Sequence, residues 1–454
     1  MPANSNKVAI TSIYANKNTS ATWDTVQKAG RQPVLISVDG NRERIRTELG
    51  EAAAQDAVYV PSLDDPIALA GALPAALRAK QIELSHWINT NDPLTPAFLH
   101  TLEQMGMTFD FLEPYASCRI KPIARRIAYK AGCSTFDAQV EQLDKPSRLP
   151  KRAQGHVVKP ICGSASKGVK WIRNAESWQK YCDEQLAKQL KIAFDTNICI
   201  RGFRPYREVL VEPYLAGQEW EIDGFASGGT ITICAAGYKF HDYSEELGFR
   251  ELGCVIHRFN RARSAHEVAT DRAIESWTND LLGALRFTSG AFHIEAIQSG
   301  GALEMLEVNP RPGGGSVPAM IAKLTGVDLN RQCTRLWIGC SADQQPARQQ
   351  HEMLLNVIVY PTQNGYIKEI SNDQELFVLL DGERYLSSWF RQASRGDPVS
   401  TENGEQYLGE LHLYGADVPS QDLARVSRAL SNWLVDEGFV VISPERPKTE
   451  TGAA

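Results

Sequence analysis

Two carboxylates and an amide oxygen stand at a spacing that suits a hard metal ion. They lie in two runs, Phe292-His-Ile-Glu295 and Leu303-Glu-Met-Leu-Glu307-Val-Asn309. The runs read as strands joined by Ser299-Gly-Gly301, a hairpin signal. Pairing them brings Glu295 beside Glu307. Glu307 and Asn309 are two apart, so they project to the same face. Three such oxygens suit Mg²⁺, whose octahedron phosphate oxygens and water complete. A bare acidic hairpin is disfavoured, because buried paired carboxylates without a cation repel. Strand alternation puts Glu304 on the opposite face, where it is expected to be solvated. Arg311 follows, and its guanidinium can hold a carboxylate or a phosphoryl group through two N–H donors. The run Gly313, Gly314, Gly315 lets backbone N–H groups approach an anion, although three glycines alone make only a turn.

A second set precedes these. Lys159 ends a strand-like run, Val157-Val-Lys-Pro160, and a loop of small residues follows: Gly163, Ser164, Ala165, Ser166, Lys167, Gly168. Such a loop can fold over a polyphosphate while a strand lysine reaches its oxygens. It is no Walker A loop, since the G-x-x-x-x-G-K-[ST] spacing is missing. A third run, Glu208-Val-Leu-Val-Glu212-Pro-Tyr-Leu215, turns into Glu219-Trp-Glu-Ile-Asp223 and alone is only a hairpin. His257 and His293 are acid–base candidates, although a histidine beside a strand is more often structural.

These residues need elements to hold them. Short apolar runs alternate with helical stretches over residues 7–115, at Val8–Tyr14, Val34–Val38, Asp56–Val60 and His86–Asn89. That pattern predicts a parallel sheet covered on both faces. No G-x-G-x-x-G follows the first strand, so no dinucleotide site is expected there. A helix is predicted from Ile120 to Ala131, stopped by Gly132. Strands are predicted at Glu208–Tyr214, Glu219–Phe225, Thr230–Gly237, Ala291–Ile297 and Leu303–Val308. Helices are expected near 267–285 and 317–340. Beyond 351 the strands Leu354–Tyr360 and Gln406–Leu413 and the helix Gln421–Glu437 follow. The tail from Pro447 is expected to be disordered.

The chain has 454 residues, enough for two to four domains at ~100–200 residues each. Its 48 Lys and Arg against 54 Asp and Glu leave a charge of −6, which implies no broad attraction to nucleic acid or a membrane surface. No stretch approaches ~18 uninterrupted apolar residues, so no membrane span is expected. Nine cysteines show no metal-ligand spacing. Free thiols and the absence of a signal-peptide core point to a soluble cytoplasmic protein.

Taken in order, the three sets resemble the ATP-grasp superfamily, over about residues 110–330. The resemblance implies an α/β chain with an ATP-grasp fold. Its expected parts are a Rossmann-like parallel-sheet domain (1–115), an ATP-grasp domain (116–345, lid about 150–215) and a C-terminal α+β piece (346–454). It implies ATP and Mg²⁺, with Mn²⁺ as a substitute. Lys121 and Lys159 then match the two nucleotide lysines, and Gly163 to Gly168 the phosphate loop. Glu212, Pro213, Tyr214 and Leu215 match the adenine hinge, and Glu219 the ribose acid. Glu295, Glu307 and Asn309 match the metal ligands, and Arg311 the arginine that meets phosphate or substrate carboxylate. Asn364–Ile370 and Leu408–His412 look like the biotin-carboxylase-like branch. Pro-Gly-Gly-Gly after Asn309-Pro-Arg311, and the GSASKG lid, depart from biotin carboxylase. They resemble instead the amino-acid ligases that join two amino acids. In those relatives an E-x-G-H segment lies near the amine substrate, and here Glu251-Leu-Gly-Cys254 carries Cys in place of His. Glu113 is a further candidate substrate contact. The implied activity is ATP-dependent amide formation through an acylphosphate, with Arg311, Lys159, Gly314 and Gly315 catalytic. A carboxylase or phosphotransferase on the same fold is the alternative enzyme, and a non-catalytic nucleotide-binding regulator the alternative class. Small-molecule substrates are the expected partners, with a homodimer implied by resemblance only.

Overall fold

The computed structural model describes residues 6–11, 17–164, 166–244, 248–260, 265–343, 353–371, 386–401, 407–414, 420–438 and 440–445. The N-terminal strands β1 (Lys7–Thr11), β2 (Gln32–Val38), β3 (Val58–Val60) and β4 (Leu84–Ile88) form a parallel sheet in the order β3-β2-β1-β4. Helices Lys17–Lys28 and Pro66–Ala79 are among the crossovers. Val8, Leu35, Ile36 and Trp87 are fully or almost fully buried, as a sheet covered on both faces requires.

A four-stranded antiparallel lid follows, with β5 (Gln139–Gln142), β6 (His156–Pro160), β7 (Lys170–Ile172) and β8 (Glu208–Pro213) in the order β5-β8-β6-β7. The helix Ala175–Gln189 covers it, with Asn174 capping its first turn in a reciprocal bond with Ser177. Sequence patterning missed β5, β7 and this helix.

The central sheet begins with β9 (Gln218–Ser227), β10 (Thr230–Ser244), β11 (Gly248–Arg258), β12 (Gly290–Ser299), β13 (Ala302–Asn309) and β14 (Met353–Val359). Three later strands, β15 (Gly365–Ile370), β17 (Pro398–Val399) and β19 (Val440–Ser443), make a small sheet of their own. Two others, β16 (Leu386–Arg391) and β18 (Gly409–Tyr414), instead extend the central sheet. Its order is β13-β12-β9-β10-β11-β14-β18-β16. The predicted hairpin is present: β12 and β13 are joined by Gly300 and Gly301, both at positive φ (59° and 88°). A two-residue turn of that hand matches the twist of the strands.

Several boundaries differ from expectation. The helix predicted from Ile120 to Ala131 is present as Lys121–Lys130, and a second helix that was not foreseen, Leu112–Arg119, precedes it, the two parted where Ile120 turns extended. The stretch 317–340 is likewise split at Gly326, into Val317–Thr325 and Leu329–Trp337. The strand β11 was not foreseen, because its run mixes charged and apolar residues. Gln406 and the tail from Pro447 lie outside the described residues.

Candidate active site

A cavity of about 950 Å³ runs between the N-terminal domain, the lid and one face of the central sheet. The β12–β13 register sets Glu295 opposite Glu307, and His293 opposite Asn309. Glu295, Glu307 and Asn309 all line the cavity. Arg119 and Lys121 stand where the two helices meet, and each places a cation 3.2 Å from the Glu307 carboxylate. Arg119, itself 1% exposed, also donates to Asn309 and to the Gly163 carbonyl at 2.9 Å. Asp92 links Arg119 to Arg311: it lies 3.3 Å from the first and accepts from Arg311 Nε at 2.8 Å. Burial alone would raise the Asp92 carboxyl, but Arg119 and Arg311 outweigh it and hold it below its usual range.

The lid supplies the other wall. Gly163, Ser164, Ser166 and Lys167 line the cavity, while Ala165 lies outside the described residues and Gly168 (φ 73°) closes the loop against Pro160. Lys159 Nζ lies 2.8 Å from Glu212 and donates to the Leu306 carbonyl at 3.3 Å. Glu212 also takes Arg125 Nε at 2.7 Å. Burial pushes its carboxyl up, and Arg125 with Lys159 brings it below normal. Pro213, Tyr214 and Leu215 line the cavity beside it, and Tyr214 stacks on Trp171 at 4.1 Å.

One expectation fails outright. Glu304 is not solvated but 3% exposed, with Arg125 at 3.5 Å and the Thr135 N–H as its partners. The register passes from Glu295–Glu307 to Ala296–Met305, so Leu306 has no opposite residue. That bulge interrupts the alternation on which the expectation rested.

A cluster of acids occupies the next strands. Lys239 on β10 is buried and lies 2.6 Å from Glu295, 3.5 Å from Glu251 and 3.9 Å from Glu221. Burial would lower its ammonium, but Glu251, Glu295, Glu221 and Glu219 raise it well above normal. For Glu295 burial is likewise overcome, by Lys239 and His293, and its carboxyl sits well below the usual value. Glu219 lines the cavity and is raised, mainly by burial. Burial also pushes Glu221 up to about 7. His293 Nδ1 faces Asp223 at 3.0 Å; burial opposes its charge, Asp223 outweighs burial, and the imidazole is raised to about 10.

Not every candidate reaches the cavity. Glu251 does, but Cys254 is buried behind it, its thiol raised first by burial and then by Glu221. Glu113 is exposed on its helix, paired with Arg201 at 2.8 Å, and is no part of the cavity wall. His257 is also buried away from the wall.

Arg311, Gly314 and Gly315 line the cavity just before the helix Val317–Thr325. Here the C-terminal strands contribute residues to which sequence reading gave no site role, although it quoted the run Leu408–His412. Glu410 on β18 accepts from the Ser316 N–H and hydroxyl and from Asn356 Nδ2 at 3.1 Å. Gly315 is at φ 54°, and a Cβ there would lie 2.5 Å from Glu410 Oε1. Gly315→Ala should therefore cost ~1–3 kcal/mol in backbone strain and displace the Glu410 carboxylate. Urea midpoints and turnover together would show it.

His412 extends the same network, with Nε2 2.6 Å from Ser316 Oγ and Nδ1 2.9 Å from Ser388 Oγ. Burial, then the Lys323 charge, depresses it from 6.5 to about 3. The unfolded chain takes up this proton first, so the contribution is present above pH ~6.5 and lost as pH falls towards 3. His412→Asn should flatten the stability curve across that window, measured by urea midpoints against pH.

Asp92, Arg119, Lys239 and Glu410 were missed. Arg119 had a faint signal, two residues before Lys121. The others carry no local spacing and are assembled only by the tertiary fold.

An antiparallel lid closed over an antiparallel sheet, with a charged cavity between, defines the ATP-grasp fold. Residues 153–319 match the ATP-grasp domain family and form an ATP-grasp domain. Among solved structures, an L-amino acid ligase from Bacillus licheniformis superposes with a TM-score of 0.69 at 16% identity, over 98% of this chain and 100% of that one. A biotin carboxylase from Campylobacter jejuni gives 0.59 at 12% identity, over 97% and 92%. Dapdiamide A synthase of Enterobacter agglomerans is 24% identical over 198 residues, 43% of this chain. That match spans 42% of the synthase's own length. No helix among the described residues is long and apolar enough to cross a membrane.

Proposed function

We propose that this chain is an ATP-dependent carboxylate–amine ligase that joins two small molecules, amino acids in the first instance, through an acylphosphate. The observation that carries the reading is the gathering of cations about Glu307 and Asn309: Arg119 and Lys121 pair with Glu307, Arg119 also bonds Asn309, Asp92 ties Arg119 to Arg311, and Lys159 is held at the Leu306 carbonyl. Mg²⁺ fits the donor set: Glu295, Glu307 and Asn309 offer three hard oxygens on one face. When bound there it would neutralise phosphate charge and orient the terminal phosphate. Lys121, Lys159 and the lid amides would hold the phosphates, and Glu212 to Leu215 would border the adenine.

A donor carboxylate oxygen attacks the γ-phosphorus, the bond to the β–γ bridging oxygen breaks, and ADP leaves. The amine nitrogen then attacks the acyl carbon, the carbon–oxygen bond to phosphate breaks, and the nitrogen gives up a proton. Arg311 and the Gly313–Gly315 amides would receive the carbonyl oxygen as charge builds there. Lid closure excludes water, which would otherwise hydrolyse the acylphosphate. The space beyond Glu295, walled by Tyr360 and Tyr407, favours two organic substrates over bicarbonate. The names of the two ligase-type relatives, an L-amino acid ligase and a synthase, support the same reading.

The division into an N-terminal Rossmann-like domain (1–115), an ATP-grasp domain (116–345) and a C-terminal α+β piece (346–454) belongs to the proposal. Screening amino-acid pairs for ATP-dependent phosphate release, with product mass by spectrometry, tests the function. A condensation product lighter by one water than its two substrates is expected. Turnover that no acid or pair stimulates would end the ligase reading.

A further inference from the structure

Glu307, Glu295 and Glu221 stand in one row across β13, β12 and β9. Neighbouring strands are ~4.8 Å apart, so Glu221 lies about one strand beyond the Glu295–Glu307 pair. It is 1% exposed and lines the cavity; the Cys254 thiol lies against it, and neither of its carboxylate oxygens accepts a hydrogen bond from a nitrogen or oxygen donor. Lys239 is 3.9 Å away, beyond hydrogen-bond reach, and is held by Glu295 instead. A buried carboxylate without nitrogen or oxygen donors is costly, so this position favours donors that a ligand brings.

The chemistry of that ligand follows from the neighbours. Glu221, Asp223 and His293 are close enough to suggest a metal site. Yet both imidazole nitrogens of His293 already face carboxylates, Asp223 at 3.0 Å and Glu295 at 3.5 Å. A metal ion would have to displace those pairings to reach a ring nitrogen. An organic cation needs no ring nitrogen; it needs acceptors, and Glu221 and the partly open Glu251 supply them on one wall. Tyr360, Tyr407 and Asn356 leave room beyond for the body of an organic molecule.

We infer that Glu221 binds a primary ammonium group of a substrate. The inference rests on the ligase reading. The ammonium belongs either to the donor amino acid or to the acceptor amine, and one set of assays separates these sources. Wild type and Glu221→Gln are compared in ATP- and Mg²⁺-dependent hydroxamate formation, with hydroxylamine as a neutral trap for the activated acid. Each is supplied with an α-amino acid or its deaminated analogue as donor. Amide formation is measured alongside, with an amine that wild type accepts.

An ammonium on the donor predicts that Glu221→Gln loses, by tenfold or more, the preference for the amino acid over its deaminated analogue. An ammonium on the acceptor predicts that this preference stays while the KM for the amine rises tenfold or more. Glu221→Asp should recover part of either effect. An unchanged preference together with an unchanged KM overturns the inference. So does a raised Mg²⁺ requirement as the sole change, which would make Glu221 a metal ligand. Wild type that forms neither hydroxamate nor amide with any acid removes the ligase reading, and the inference falls with it.

Discussion

Glu307→Gln should lower ATP-dependent turnover by on the order of 10³-fold while leaving the fold intact. The substitution keeps the shape of the side chain and removes one negative charge. That charge faces Arg119 and Lys121, each at 3.2 Å. Without it, the two cations still have Asp92, Asn309 and the Gly163 carbonyl. Stability should therefore change by less than the several kcal/mol seen when a buried ion pair loses its only partner. Turnover has no such reserve, because the proposed metal site would lose one of its two carboxylates. Steady-state phosphate release and a urea titration of the same preparation separate the two effects. A variant that keeps more than a tenth of wild-type turnover would remove Glu307 from the proposed metal site.

Arg125→Ala should have the largest effect on stability, ~3–5 kcal/mol. This guanidinium is completely buried. It donates to Glu212 at 2.7 Å, to Ser134 Oγ at 3.0 Å and to the Met305 carbonyl, and lies 3.5 Å from Glu304. It also packs over the Phe136 ring at 4.3 Å. Its removal leaves two carboxylates with low exposure and, among the described residues, Lys159 as the one cation paired with Glu212. Arg125 joins the lid strand β8 to the central strand β13, so the loss is felt in both. Urea midpoints measure it, and Arg125→Lys should recover only part, since a lysine cannot serve four acceptors in that fork. A loss below 1 kcal/mol would show that water or a shifted side chain replaces it.

How far the molecule could be read from its residues differs from place to place. The parallel N-terminal sheet was legible, because buried strands are apolar runs and the crossover helices punctuate them. The β12–β13 hairpin was legible too, since two glycines at the turn leave few alternatives. That hairpin alone placed Glu295 opposite Glu307. The bulge at Leu306 was not legible, as no residue type demands it, and so Glu304 was put in water when it is one of the anions held by Arg125. The ion network of Asp92, Arg119 and Arg311 was hidden for a different reason. Its members are far apart in the chain, and only the packing of the N-terminal domain on the central sheet brings them together. Lys239 was hidden likewise, within a strand that was foreseen but whose length was not.

The placement of β14 next to β11, and of β18 beyond it, has a consequence for how the protein is made. Glu410 follows Glu307 by about a hundred residues, yet it braces the glycine segment directly after Arg311. At ~5–20 residues per second, translation takes on the order of 5–20 s to cover that gap. During this interval the wall that carries the proposed metal ligands can already have formed while the strands of the opposite wall are still unsynthesised. Under the proposed function, competence for the nucleotide would then precede competence for a second substrate during biosynthesis.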